Sequence, residues 1–191
     1  MRTRKPPCPV LWTILLAGAT TVGAGTAHVH GHAELNLVLE GGRLHVEFLS
    51  PAANLVGFEH PPRDAADDAA VEHATLRLAK GDALFSFPDS ADCRLHHADV
   101  QSPWPQTRDA PHHEDDAHEH THTGHASDRG REHADFGASY AFDCSRPQQL
   151  SQVRTTLFDA FPALQQLDVQ AIVDDRQFAA RLTPATTLMA F

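Results

Sequence analysis

One stretch of this chain limits its fold more than any other, because no packed core can accommodate it. Asp109 to His133 carries seven histidines, His112, His113, His118, His120, His122, His125 and His133. Among them lie seven carboxylates, those of Asp109, Glu114, Asp115, Asp116, Glu119, Asp128 and Glu132. Periodic apolar residues vanish from 101 to 133. A segment so polar cannot bury enough apolar surface to offset the entropy lost on ordering it. The expectation is a disordered His/Asp/Glu-rich insertion over 101–133, with the fold built from the two flanks.

Both flanks read mainly as strands. Ala33, Leu35, Leu37 and Leu39 alternate with polar residues, as do Leu44, Val46 and Phe48. Gly41-Gly42 between them is a hairpin signal, since glycine reaches positive φ without steric cost. Asn54 to Pro62 reads as an ordered loop with Leu55, Val56 and Phe58 turned inward. Asp64 to Lys80 has acids early, Arg77 and Lys80 late, and Gly81 after it, the charge order and stop signal of a helix. Ala83–Phe87 and Cys93–Val100 read as short strands.

Beyond the insertion, Ala134–Cys144 alternates again. The spacing Ser145-Arg146-Pro147-Gln148 suggests a capping box, and Leu150, Val153, Leu157, Phe158 and Phe161 form a helical stripe. Val169–Val173, Arg176–Leu182 and Thr186–Phe191 read as three closing strands, with Asp174-Asp175 as a tight turn. Hairpins dominate, so the expected class is α+β, mainly antiparallel sheet with two helices packed on one side. The expected organisation is one metal-binding domain over 28–191, with a division into subdomains 28–100 and 134–191 left open.

The first 27 residues read as a cleaved signal peptide. Arg2, Arg4 and Lys5 precede a short apolar run from Val10, and Gly25-Thr26-Ala27 supplies small residues for cleavage. No later segment has the roughly 18 apolar residues of a membrane-spanning helix. The reading is therefore an exported, soluble protein. Removing those three basic residues takes the formal charge from −10 to −13. No basic stripe is left to meet phosphates, which argues against nucleic acid as a partner. Cys93 and Cys144 then remain, and in an oxidising compartment an even pair reads as a disulfide. Two buried thiols, or a thiolate pair on a metal, are the alternatives.

The chemistry implied is metal binding. Imidazole suits Zn²⁺, Cu²⁺ and Ni²⁺, and neighbouring carboxylates add charge and orienting hydrogen bonds. The tract encodes no fixed geometry, so several ions in fast exchange are expected there. A second candidate is the mature start, His28, His30 and His32. A free amine with histidine at the third position chelates square-planar Cu²⁺ or Ni²⁺, while the same rings on a strand suit zinc. Glu59-His60 is the third candidate, with His45 and Glu47 sharing a strand face that would lie beside it. His73 and His96-His97 are weaker. No helical His-Glu-x-x-His, nucleophile elbow or phosphate-cradling loop is present, so no catalytic residues are assigned and the chain reads as a non-enzyme.

Taken together, the strings His28-Val29-His30-Gly31-His32-Ala33-Glu34-Leu35-Asn36 and Ser50-Pro51-Ala52-Ala53-Asn54-Leu55-Val56-Gly57-Phe58-Glu59-His60, the cysteine pair and the tract resemble the ZrgA family of bacterial periplasmic proteins. The likeness spans essentially the whole mature chain. It implies a zinc-binding accessory protein serving an ABC-type zinc importer, with that importer's periplasmic binding protein as partner. It marks His28, His30, Glu59, His60 and the tract histidines as zinc-binding. Copper or nickel sequestration and an exported zinc hydrolase stay open as alternatives.

Overall fold

The computed structural model describes residues 29–104 and 134–191. The expected signal peptide, His28 and all seven tract histidines lie outside the described residues. A six-stranded sheet runs in the order β4 (Cys93–Gln101), β5 (Asp135–Cys144), β2 (Arg43–Pro51), β1 (His32–Glu40), β7 (Gln166–Val173), β8 (Arg176–Leu182). A second sheet orders β3 (Phe85–Ser86), β6 (Gln152–Thr155) and β9 (Leu188–Ala190). All pairings are antiparallel except β1 with β7. Strands from both sides of the tract thus share one sheet, and the α+β, mainly antiparallel class holds.

Each main strand alternates as its sequence dictates. Ala33, Leu35 and Leu37 of β1, Leu44, Val46 and Phe48 of β2, and Phe136, Ala138, Tyr140 and Phe142 of β5 are buried on one face. That face is covered by α2 (Ala65–Leu78), α3 (Gly81–Leu84) and the small sheet, whose Val71, Ala74, Leu78, Leu84, Phe85, Val153 and Met189 join the same core. The other face, with Glu34, Asn36, Arg43, His45 and Glu47, is exposed. The β1–β2 turn places Gly41 at φ 57° and Gly42 at φ 90°, the paired left-handed residues that a two-residue hairpin requires.

Helix α2 bears out its expected charge order, but Gly81 is not its stop: α2 ends at Leu78, and Gly81 opens α3. The Asp64 carboxylate accepts hydrogen bonds from the backbone N–H groups of Ala66 and Asp67, and Asp67 and Asp68 occupy the positive first turn. The second expected helix is corrected. Residues 147–149 form one 3₁₀ turn, 152–155 form strand β6, and only α4 (Leu157–Ala160) is helical. Leu150, Val153, Leu157, Phe158 and Phe161 are all buried as the stripe implied. Val153 and Thr155 reach the core by alternation around exposed Arg154, and β-branched residues favour that extended route.

Cys93 and Cys144 are direct partners across β4 and β5 and form a disulfide with Cα atoms 3.9 Å apart. Neither sulfur is therefore a metal ligand. Chain-entropy arguments assign a bond closing a loop of this length about 4 kcal/mol. Residues 101–104, expected to belong to the insertion, are part of the fold. Gln101 still pairs with Gly137, and Trp104 is buried, its indole edge-on to Phe136 and stacked on Phe58. Burying that indole ties down residues 101–104, and the segment without described placement is 105–133.

Candidate metal centre

The N-terminal histidines are fixed by a polar anchor in what the sequence presents as a loop. Helix α1 (Ala53–Val56) is a single turn closed by Gly57 at φ 90°, and it buries Asn54. The Asn54 Oδ1 accepts from the Gly31 N–H at 2.6 Å. Its Nδ2 donates to the His32 carbonyl at 2.8 Å and to Ser50 Oγ at 3.1 Å. Gly31 takes φ +84°, which turns the chain out of β1, and its carbonyl accepts from the N–H groups of Gln165 and Gln166. The arm carrying His30 is thus clamped between α1 and the start of β7.

That clamp sets His30 against Glu59. The His30 Nε2 and Glu59 Oε1 lie 2.9 Å apart, with side-chain exposures of 67% and 40%, so both remain open to an incoming ion. Next along the chain, the His60 ring stacks on Phe58, with centroids 4.8 Å apart and planes 13° apart. Its Nδ1 lies 3.0 Å from the Pro61 carbonyl and donates to it. A donated Nδ1–H leaves the lone pair on Nε2, the arrangement by which metal-ligating histidines are commonly oriented.

His32 is engaged differently. The Gln166 amide nitrogen donates to Asp168 Oδ2 at 3.1 Å, and the same nitrogen lies 3.1 Å from His32 Nδ1. His32 Nδ1 therefore accepts, and its proton sits on Nε2. The Arg181 guanidinium, 3.0 Å from Asp168 Oδ1, holds that carboxyl below the usual carboxylate range, with Gln166 adding to the effect against partial desolvation. His32 is a peg between β1 and β7.

The structure therefore brings together His30 and Glu59, sets His60 beside them in sequence, and turns His32 to Gln166. Among the described residues no three histidine, cysteine or carboxylate side chains already converge on one point. His45 and Glu47 do not adjoin Glu59 and His60 as expected. They pair with Val38 and Asn36, well up β1 from His32 and on the open face. Strand rise carries them away from the corner, at about 3.4 Å per residue. His96 is held by Asp143, Nδ1 to Oδ2 at 3.3 Å. Two residues that sequence reasoning passed over matter here. Asn54 sits among apolar neighbours in an expected loop, and a lone buried amide in such a run is the available hint. Gln166 had no local signal, because its role depends on the parallel pairing of β1 with β7.

The corner is also where the tract is rooted. Trp104, the last described residue before it, stacks on Phe58 with ring centroids 5.5 Å apart. The carbonyl of Ala134, the first described residue after it, accepts from the Ala52 N–H at 2.7 Å. Both ends of a segment with seven histidines thus meet the α1 corner that bears Glu59 and His60.

A comparison with known families agrees with that chemistry. Residues 27–191 match the family described as ZrgA family zinc uptake protein. The chain belongs to the ZrgA family. The match runs from the residue before His28 to the last residue, so the anchor, the corner, the tract and both sheets all lie within it. No curated protein matches the chain. As a ZrgA-family member the protein has a role tied to zinc uptake. No helix among the described residues is long and apolar enough to cross a membrane.

Proposed function

We propose that this ZrgA-family protein is a periplasmic zinc carrier, exported by its N-terminal signal, that supplies Zn²⁺ to the binding protein of an ABC-type importer. The tract histidines His112, His113, His118, His120, His122, His125 and His133 capture ions. The corner formed by His30, Glu59 and His60, with His28 ahead of it, receives them. The protein acts by holding and passing on zinc, without catalysis.

The observation that carries this reading is the rooting of both tract ends on the corner. No tract histidine is more than 14 residues from Trp104 or Ala134. Covalent geometry alone keeps each within about 50 Å of the corner. One ligand confined to a sphere of that radius has an effective concentration of about 3 mM, enough to make transfer an intramolecular event. The corner itself offers partly exposed groups that release an ion without an opening motion.

Ligand imidazoles must be neutral, so zinc binding weakens as pH falls through about 6.5. Calorimetry on the mature chain should show tighter binding at pH 7.5 than at pH 5.5. Deleting 109–133 should cut the number of ions bound while His30→Ala/Glu59→Gln slows hand-over to an importer's binding protein. Equal affinity at both pH values would rule out histidine ligation, and unchanged hand-over in the double variant would remove the corner from the route.

A further inference from the structure

The open face of the large sheet carries a second donor set, built by strand register and independent of the N-terminal corner. Strand β5 presents only Gly137, Ser139 and Ala141 outward along three successive outward positions. On one side, β2 sets Leu49, Glu47 and His45 opposite them. On the other, β4 sets Gln101, Asp99 and His97. Small residues flanked by longer ones make a trough along β5. Its Gly137–Ser139 part is a hollow of about 250 Å³ bordered by Glu34, Glu47 and Asp99.

A β-bulge completes the arrangement. The pairing of β4 with β5 shifts between Leu95 and His97, so His96 is the extra residue. Without it His97 would follow Leu95 in strict alternation onto the core face. With it, Leu95 and Ala98 pack inward while His96 and His97 both stay exposed. Bulges recur where a strand must re-aim a side chain. Here the bulge places His97 level with Ala141 and His45, one ring on each side of a methyl group.

The charge of the trough suits a cation. Arg43 and Arg94 are already engaged by Asp143 and Asp92. Among the described residues Glu34, Glu47 and Asp99 have no basic partner. Two strand spacings put the His45 and His97 Cα atoms about 10 Å apart, and one pleat repeat sets Glu47 and Asp99 about 7 Å along. An ion above the Ala141–Ser139 step lies within reach of all four, given ligand distances of about 2.0–2.2 Å.

We propose that the β5 trough is a divalent-cation site in which His45, His97 and Glu47 ligate zinc and Asp99 fills the fourth position. Two imidazoles with one or two carboxylates is an ordinary zinc donor set. The four side chains are exposed and not yet gathered around one point, so binding proceeds by rotation between staggered rotamers of exposed groups. The site differs from the corner in residues, strands and face.

Amide NMR of the full mature chain titrated with Zn²⁺ tests this. Shifts are expected at His45, His97, Ser139 and Ala141, and they should persist in His30→Ala. His45→Ala/His97→Ala should abolish them. So should Ala141→Leu, which keeps both rings but fills the floor, while unchanged core resonances report that each variant is folded. Persistence of the β2, β4 and β5 shifts in Ala141→Leu or in the double histidine variant would overturn the proposal. Zinc loading without any shift on these strands would do the same, and would leave the corner reading intact because its amides are followed in the same spectra.

Discussion

Replacing Asn54 by alanine isolates the anchor on which the N-terminal arm depends. The side chain is 3% exposed and makes three hydrogen bonds, to Gly31, His32 and Ser50. Each is worth about 1 kcal/mol net, and stranding the Gly31 N–H away from water costs about 1–3 kcal/mol in place of its share. We expect a loss of about 3 kcal/mol. For a chain of this size that lowers Tm by about 6–12 °C, measured by circular dichroism on the disulfide-bonded mature protein. A second readout separates the anchor from general destabilisation. Freeing Gly31 lets His30 leave Glu59, and re-ordering one such side chain costs about 0.5–1.5 kcal/mol. Zinc affinity at the corner should then fall up to about 10-fold, with tract stoichiometry unchanged. Asn54→Asp keeps an acceptor for Gly31 but sets an oxygen against the His32 carbonyl. It should be no better than alanine at neutral pH and recover as acid protonates it, because the neutral carboxyl can donate. A Tm drop below about 2 °C in Asn54→Ala, with corner affinity intact, would refute the clamp.

Two further outcomes follow from the core. Tyr140 is the only tyrosine in the sequence, so phenolate absorbance reports it alone. Burial pushes its pKa well above the ordinary 10.0, and its hydroxyl donates to the Leu78 carbonyl at 2.8 Å. A raised folded pKa means this contribution is complete below pH 10 and is lost as pH climbs toward the folded value. No phenolate should therefore appear near pH 10 before the chain unfolds, and an ordinary titration there would contradict the burial. At Gly81 an added Cβ would overlap the Tyr140 ring, with Leu95 close by. Gly81→Ala should destabilise by about 1–3 kcal/mol in urea unfolding despite alanine's higher helix propensity, and a stabilised variant would show the contact is loose.

Much of this molecule was legible in its residue order. Alternation in β1, β2 and β5 states which face each strand buries, because side chains alternate with period two. Gly41-Gly42, the early acids of α2 and the Asp174-Asp175 turn, whose two residues take positive φ, punctuate the elements locally, where short-range effects decide. The apolar stripe from Leu150 to Phe161 was also legible as buried, but not its conformation, since five buried positions satisfy a helix and a strand-plus-turn alike. The same holds for the site. Residue types and spacing marked His30, Glu59 and His60, while the tertiary structure alone revealed Asn54 as the anchor of the arm that carries His30 and placed His45 and Glu47 on another face. Local sequence sets periodicity and turn chemistry. Which strand lies beside which depends on hydrogen bonds between residues far apart in the chain, as when β1 pairs with β7 or one extra residue at His96 turns His97 outward. Those long-range pairings place the chemistry of this protein.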